Sequence, residues 1–271
     1  MTTDLAGLVA GIPDGACLAI PQDAAGVSMA ATRALVRRGV RDLHLVCVPV
    51  GGLQADLLIG AGCVRLVETS AVTLGEFGTG PRFAAALKAG RLAIRDATCP
   101  AIHAALQAGQ KGIPFIPLRG MLGTDLLAAR PDWKVIDNPF AAGDPIVLLP
   151  AIVPDVALFH APAADRHGNV FIGRQRELLT MAHASRQTLV TVEEIVDGDL
   201  MADPDRASGV IPAIYVTAIA VARRGALPVR FRDSYAQDDA VLAAYVVAAA
   251  DDAAWNRWLA VWLEEREAVA A

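Results

Sequence analysis

Residues 155–172 read DVALFHAPAADRHGNVFI, and this stretch decides the fold class. Val156, Ala157, Leu158 and Phe159 form an unbroken apolar run, the pattern of a strand buried on both faces. His160 and Pro162 follow at the expected carboxyl end of that strand. Residues 164–169, ADRHGN, then read as a polar turn, after which 170–172 resume the apolar pattern. Loops at strand ends are where α/β proteins hold ligands, and this stretch contains two of the five histidines, His160 and His167. Gly168 and Asn169 suit a plain chain reversal equally well, so a structural turn and a ligand loop both stay open.

The same alternation spreads outward. Residues 16–20 read as a strand, and Ser28 caps a helix over 29–38 that ends in Arg37, Arg38 and Gly39. Strands follow at 43–48, 64–69 and 92–96, with helices at 55–59, from Pro81 to about residue 89, and from Pro100 onward. Residues 133–139 and 146–149 read as a hairpin around Gly143, Asp144 and Pro145. Further on, 174–184 is helical, 188–196 is a strand, and 213–221 is apolar. From residue 237 the chain is helical, with Trp255, Trp258, Leu259 and Trp262 on one face, a packing stripe. The reading is α/β: a single open, mostly parallel sheet flanked by helices. With no repeat, linker or low-complexity tract, residues 1–271 form one domain.

Composition narrows the function classes. The net charge is −5 and the basic residues are scattered, which argues against nucleic acid as a partner. Mean hydropathy is +0.41, yet no apolar run reaches the roughly 20 residues of a membrane span. The first twenty residues carry Asp4, Pro13 and Asp14 and lack a basic start, so neither signal peptide nor membrane anchor is expected. Cys17, Cys47, Cys63 and Cys99 are widely spaced, without C-x-x-C or Cys/His zinc spacing. A reducing cytoplasm fits, and no metal is expected.

Three stretches carry candidate chemistry. Gly51 and Gly52 sit between a buried strand and a helix, where backbone can approach a ligand closely, though neither a P-loop nor a G-x-G-x-x-G pattern is present. Residues 70–81, SAVTLGEFGTGP, form a glycine-rich loop with one carboxylate, Glu76, at its centre. It is either a solvated loop glutamate or a carboxylate on a mobile active-site loop. Residues 112–125, GIPFIPLRGMLGTD, place Arg119 beside Gly120, with Gly123 and Thr124 closing the loop. An arginine there suits a carboxylate or phosphate, or pairs locally with Asp125. Thr98, Cys99 and Pro100 open a helix with His103 one turn on, but no third orienting group for a Cys/His nucleophile is identifiable.

Taken in order, VGGLQADLLIGAG, VTLGEFGTGP, IPFIPLRGMLGTD and DVALFHAPAADRHGNVFI resemble family I CoA-transferase α subunits, those of the glutaconate CoA-transferase type above all. The resemblance runs from about residue 14 to 222. It implies an open α/β fold, a β subunit of similar fold, and an active site between the two. CoA moves from an acyl-CoA to a carboxylate acceptor. A glutamate attacks the thioester to give an anhydride, CoA thiolate returns to form a glutamyl thioester, and the acceptor completes the exchange. CoA is thus a substrate, and no permanently bound cofactor is implied.

The family's glutamate lies in a Ser-Glu-Asn-Gly type of motif on the β subunit, and this chain has none. The resemblance therefore implies a partner-borne nucleophile, with Glu76 in Glu76-Phe77-Gly78 as the candidate within this chain. Gly51, Gly52, Arg119, Gly120, Gly123 and Thr124 would bind substrate or CoA. Residues 155–172 then serve as a family marker that demands no acid–base role of His160 or His167. Ring-cleaving hydrolases of steroid catabolism, which act on CoA thioesters, are similar too. They imply an acidic residue near the helix start at Thr98, whereas this chain has no carboxylate over 98–106. A non-catalytic metabolite-binding α/β module is the third reading.

Overall fold

A computed structural model describes residues 2–232 and 234–264. The first half runs β1 (Thr2–Thr3), α1 (Leu5–Ala10), β2 (Cys17–Pro21), α2 (Asp23–Gly26), α3 (Met29–Arg38), β3 (Leu43–Val48), α4 (Leu53–Gly60), β4 (Val64–Thr69), α5 (Pro81–Lys88), β5 (Ala93–Asp96) and α6 (Cys99–Gln110). Next come β6 (Phe115–Leu118), α7 (Leu126–Ala129), β7 (Lys134–Asp137) and β8 (Pro145–Pro150). The chain closes with β9 (Val156–Asp165), β10 (Val170–Phe171), α8 (Arg176–Ala184), β11 (Gln187–Val196), β12 (Val210–Ile211), β13 (Ala218–Val221), α9 (Asp239–Ala249) and α10 (Asp252–Glu264).

The main sheet has the order β1-β13-β11-β9-β2-β3-β4-β5, and every pair along this path is parallel. Within it, β10 and β12 run antiparallel to their neighbours. Alternation along each strand sends side chains to opposite faces. Leu18, Ile20, Leu45, Cys47 and Leu158 pack against α1, α3, α4 and α5. Ala19, Val46, Val48, Ala157 and Phe159 pack on the other face against α6 and α8. A third apolar group joins α9 and α10 to α3 and α4, and buries Trp255 and Trp262. The tryptophan stripe is therefore core. Besides the main sheet, β6, β8 and β7 form a separate antiparallel sheet, of which the sequence showed only the β7–β8 hairpin.

One expectation needs correcting at the stretch that set the fold class. The strand does not end at Phe159: β9 continues to Asp165, paired with β11 as far as Val196. His160 is therefore mid-strand and fully buried, and the turn is confined to 166–169. The reason is that both polar side chains find partners inside the fold. The Asp165 carboxylate accepts from the N–H groups of His167 (2.9 Å), Asn169 (3.0 Å) and Leu200 (3.0 Å), and from Asn169 Nδ2 (2.8 Å). His167 itself is exposed on that turn.

Candidate active site

Strand order reverses between β2 and β9. From β2 the chain steps through β3 and β4 to β5, and from β9 it steps the other way through β11 to β13. Loops leaving adjacent carboxyl ends diverge at such a reversal and leave a crevice. Here the crevice is a cleft of about 710 Å³, lined on one side by Asp23, Gly51, Gly52 and Glu76, and on the other by Arg230 and Asp239. Its size falls in the roughly 300–1,000 Å³ range of small-molecule sites.

The glycine pair is shaped by its neighbours. A Cβ on Gly52 would lie 2.1–2.2 Å from the Asp23 carboxylate, and one on Gly51 would lie 2.8 Å from Ala55 Cβ and 2.9 Å from Cys47 Sγ. Side chains there would displace the packing that forms the cleft floor. Asp23 uses this closeness to accept from the Leu53 N–H at the start of α4 (2.9 Å), while its Oδ1 is enclosed without a partner. Burial pushes the Asp23 carboxyl up to about 6, against the downward pull of the Leu53 N–H. The 49–52 loop is strapped to the next one by Gly51 N–H to Ala71 O and Thr73 N–H to Gly51 O, both 2.9 Å.

Glu76 lies in a single 3₁₀ turn, Gly75–Phe77, flanked by Gly75 at φ 65° and Gly78 at φ 86°. It is exposed, and among the described residues no hydrogen bond or ion pair holds it. Arg230 is likewise exposed and without a partner among the described residues. The fold thus brings Gly51, Gly52 and Glu76 into one cleft, and adds Asp23 and Arg230. Asp23 carries a readable signal, a carboxylate directly after a strand. Arg230 carries none.

Arg119, Gly120, Gly123 and Thr124 lie elsewhere. Arg119 donates to Asp144 through Nε to Oδ1 (2.8 Å) and Nη2 to Oδ2 (2.5 Å), rather than to Asp125. With Asn138 also donating, this pair holds the Asp144 carboxyl at about 2, below its usual range. Arg119 edges a second hollow of about 370 Å³ on the small sheet, among Phe115, Leu118, Ile136 and Phe140. Gly120 faces open space, Gly123 takes φ 75°, and Thr124 Oγ1 donates to Met121 O at 2.7 Å. At the start of α6, Thr98 caps the helix through the Ala101 N–H (3.3 Å), and the exposed Cys99 Sγ lies 3.2 Å from Ser70 Oγ. Among the described residues no group of three or more His, Cys, Asp or Glu could hold a metal ion, and no helix is long and apolar enough to cross a membrane.

The sequence profile of the coenzyme A transferase family matches residues 2–222. The α subunit of a 3-oxoadipate CoA-transferase from Pseudomonas knackmussii is 33% identical over 255 residues, covering 92% of this chain and 88% of that protein. The glutaconate coenzyme A-transferase of Acidaminococcus fermentans superposes with a TM-score of 0.89 at 26% identity, covering 97% of this chain and 88% of its own. A variant of the decarboxylase AibA/AibB superposes with a TM-score of 0.86 at 31% identity, covering 98% of both chains. Agreement of this extent, in sequence and fold together, makes this chain a member of the coenzyme A transferase family, of its α-subunit type.

Proposed function

We propose that this chain is the α subunit of a heteromeric enzyme that moves CoA from an acyl-CoA to a free carboxylate, and that the cleft at the β2/β9 reversal is its share of the acyl-CoA site. The observation that carries this reading is the convergence of Gly51, Gly52 and Glu76 at the carboxyl ends of parallel strands. Close backbone approach at the glycine pair suits a flat thioester, and Arg230 is the cation available to an anionic group of the substrate. In this reading Arg230 takes the part first expected of Arg119, whose guanidinium is engaged by Asp144. The turn bearing Arg119, Gly120, Gly123 and Thr124 stands outside the acyl-CoA cleft.

A carboxylate that attacks a thioester must be held against the carbonyl carbon. Glu76 has no side chain or backbone group holding it, which supports a nucleophilic glutamate on the β subunit, with Glu76 facing the bound substrate. Trapping tests this. The complex is incubated with acyl-CoA, the glutamyl thioester is reduced with borohydride, and the modified peptide is located by mass spectrometry. The expected site is a glutamate of the β subunit; modification at Glu76 would overturn the assignment.

The likeness to a decarboxylase over both whole chains favours one second reading, cleavage of a CoA thioester substrate without an acceptor. That reading includes the hydrolytic, ring-cleaving chemistry implied by resemblance. It requires turnover of the acyl-CoA when carboxylate acceptor is omitted, whereas transfer stops without acceptor.

A further inference from the structure

Both walls of the cleft meet at one buried side chain. His160, fully buried in β9, places Nδ1 2.9 Å from Thr191 Oγ1 and Nε2 2.7 Å from Glu193 Oε1. Glu193 Oε1 also accepts from Tyr235 OH (2.9 Å), and its Oε2 accepts from the Arg224 N–H (2.6 Å). On the other side, Thr191 Oγ1 lies 2.7 Å from Ser28 Oγ, which caps α3 through the Ala31 N–H. Because a carboxylate only accepts, His160 Nε2 carries the proton. Nδ1 then accepts from the Thr191 hydroxyl, whose oxygen accepts from Ser28. Every polar atom in this chain of bonds is matched by a neutral imidazole, and burial holds His160 below its usual pKa despite the pull of Glu193.

Steric contacts repeat the pattern. A Cβ on Gly26, at φ 116°, would come within 2.3 Å of the His160 carbonyl oxygen. One on Gly225 would come within 2.8 Å of His160 Cε1. The Phe231 ring lies 4.6 Å from the imidazole, and the Ala30 N–H donates to Gly225 O at 2.9 Å. Gly26 closes the segment bearing Asp23, while Gly225, Phe231 and Tyr235 flank the segment bearing Arg230.

We propose that His160 is a positioning residue: through Thr191 and Glu193 it fixes the Asp23 wall and the Arg230 wall of the cleft to the central sheet, in the spacing that acyl-CoA binding requires. The substrate part of this statement rests on the function proposed above; the coupling of the two walls does not. His160 never touches substrate. It acts by holding the groups that do, as a fully satisfied buried polar network can.

Two conservative variants of the full complex test this. Tyr235→Phe removes one donor to Glu193 from the Arg230 wall and leaves His160 in place. His160→Gln keeps an amide N–H for Glu193 but loses the acceptor for Thr191. Hydrogen exchange is followed in peptides containing Gly26 and in peptides containing Arg224, alongside KM and kcat. Tyr235→Phe is expected to speed exchange in both walls and to raise KM for acyl-CoA about tenfold with kcat little changed. His160→Gln should loosen the Gly26 wall more than the Arg224 wall, and His160→Leu should loosen both. Faster exchange confined to the Arg224 wall in Tyr235→Phe, with KM unchanged, would overturn the proposal. If the wild-type complex moves no CoA, the function reading fails while the exchange data still decide the coupling. Should His160→Leu not fold, the two conservative variants still decide it.

Discussion

Asp23 and Arg230 face each other across the cleft, and each has a measurable consequence. Folded Asp23 keeps its proton up to about pH 6, while the unfolded chain releases it near the usual 3.8. Between those values the folded state binds more protons, so stability falls as pH rises through the window, and the full cost is present above it. The difference corresponds to about 3 kcal/mol. Asp23→Asn keeps an acceptor for the Leu53 N–H without the charge. Urea unfolding across pH 4–7 should therefore show a flatter profile and a more stable protein above pH 6; an unchanged slope would contradict the burial argument. Arg230→Gln should raise KM for acyl-CoA about tenfold, the loss of one charge-assisted contact. Arg119→Gln should leave KM alone. A reversed pattern would return the anion site to the small sheet. Neither Asp23 nor Arg230 was among the candidates read from sequence, because the value of each is set by what lies opposite it.

Among the elements, those with local signals were legible. α3 could be placed at both ends because its cap, Ser28, and its left-handed Gly39 are sequence neighbours of the helix. α4 was placed late, at residue 55, because the carboxylate that accepts from its first N–H comes from Asp23 on another loop. β9 was cut short for the same kind of reason: His160 and Asp165 look like turn residues until their partners are known. Gly52→Ala forces the Asp23 carboxylate aside and should cost about 1–2 kcal/mol through the lost cap. Urea unfolding of the variant checks this, and wild-type stability would refute the contact. The tie between α7 and β4 is stronger. Arg130, nearly fully buried, donates to Glu68 Oε1 (2.8 Å), to Asp132, and to the Asp96 carbonyl, and its guanidinium lies 4.2 Å over the Trp133 ring. Arg130→Met leaves Glu68 buried without its main partner, and should destabilise the chain by about 3–5 kcal/mol. A loss below about 1 kcal/mol in thermal unfolding, the worth of an exposed pair, would show the contact to be dispensable.

For the whole molecule, the parallel architecture followed from alternating apolar runs, whereas the cleft did not. Gly51, Gly52 and Glu76 could be named because each sits in a glycine-rich loop after a strand. Their convergence with a segment beyond residue 222 is a product of the strand-order reversal, which periodicity does not encode. Arg119 drew attention for its glycine-rich setting alone, and the fold spends that charge on Asp144. The central claim is that this chain transfers CoA as one half of an enzyme, with the nucleophile on its partner. The most direct measurement is CoA transfer from acyl-CoA to carboxylate by this chain in isolation, by its isolated β partner, and by the reconstituted complex, each with and without acceptor. Transfer only by the complex, only with acceptor, and retained in Glu76→Gln is the predicted result. Turnover by the single chain, or acyl-CoA consumption by the complex without acceptor, would contradict it.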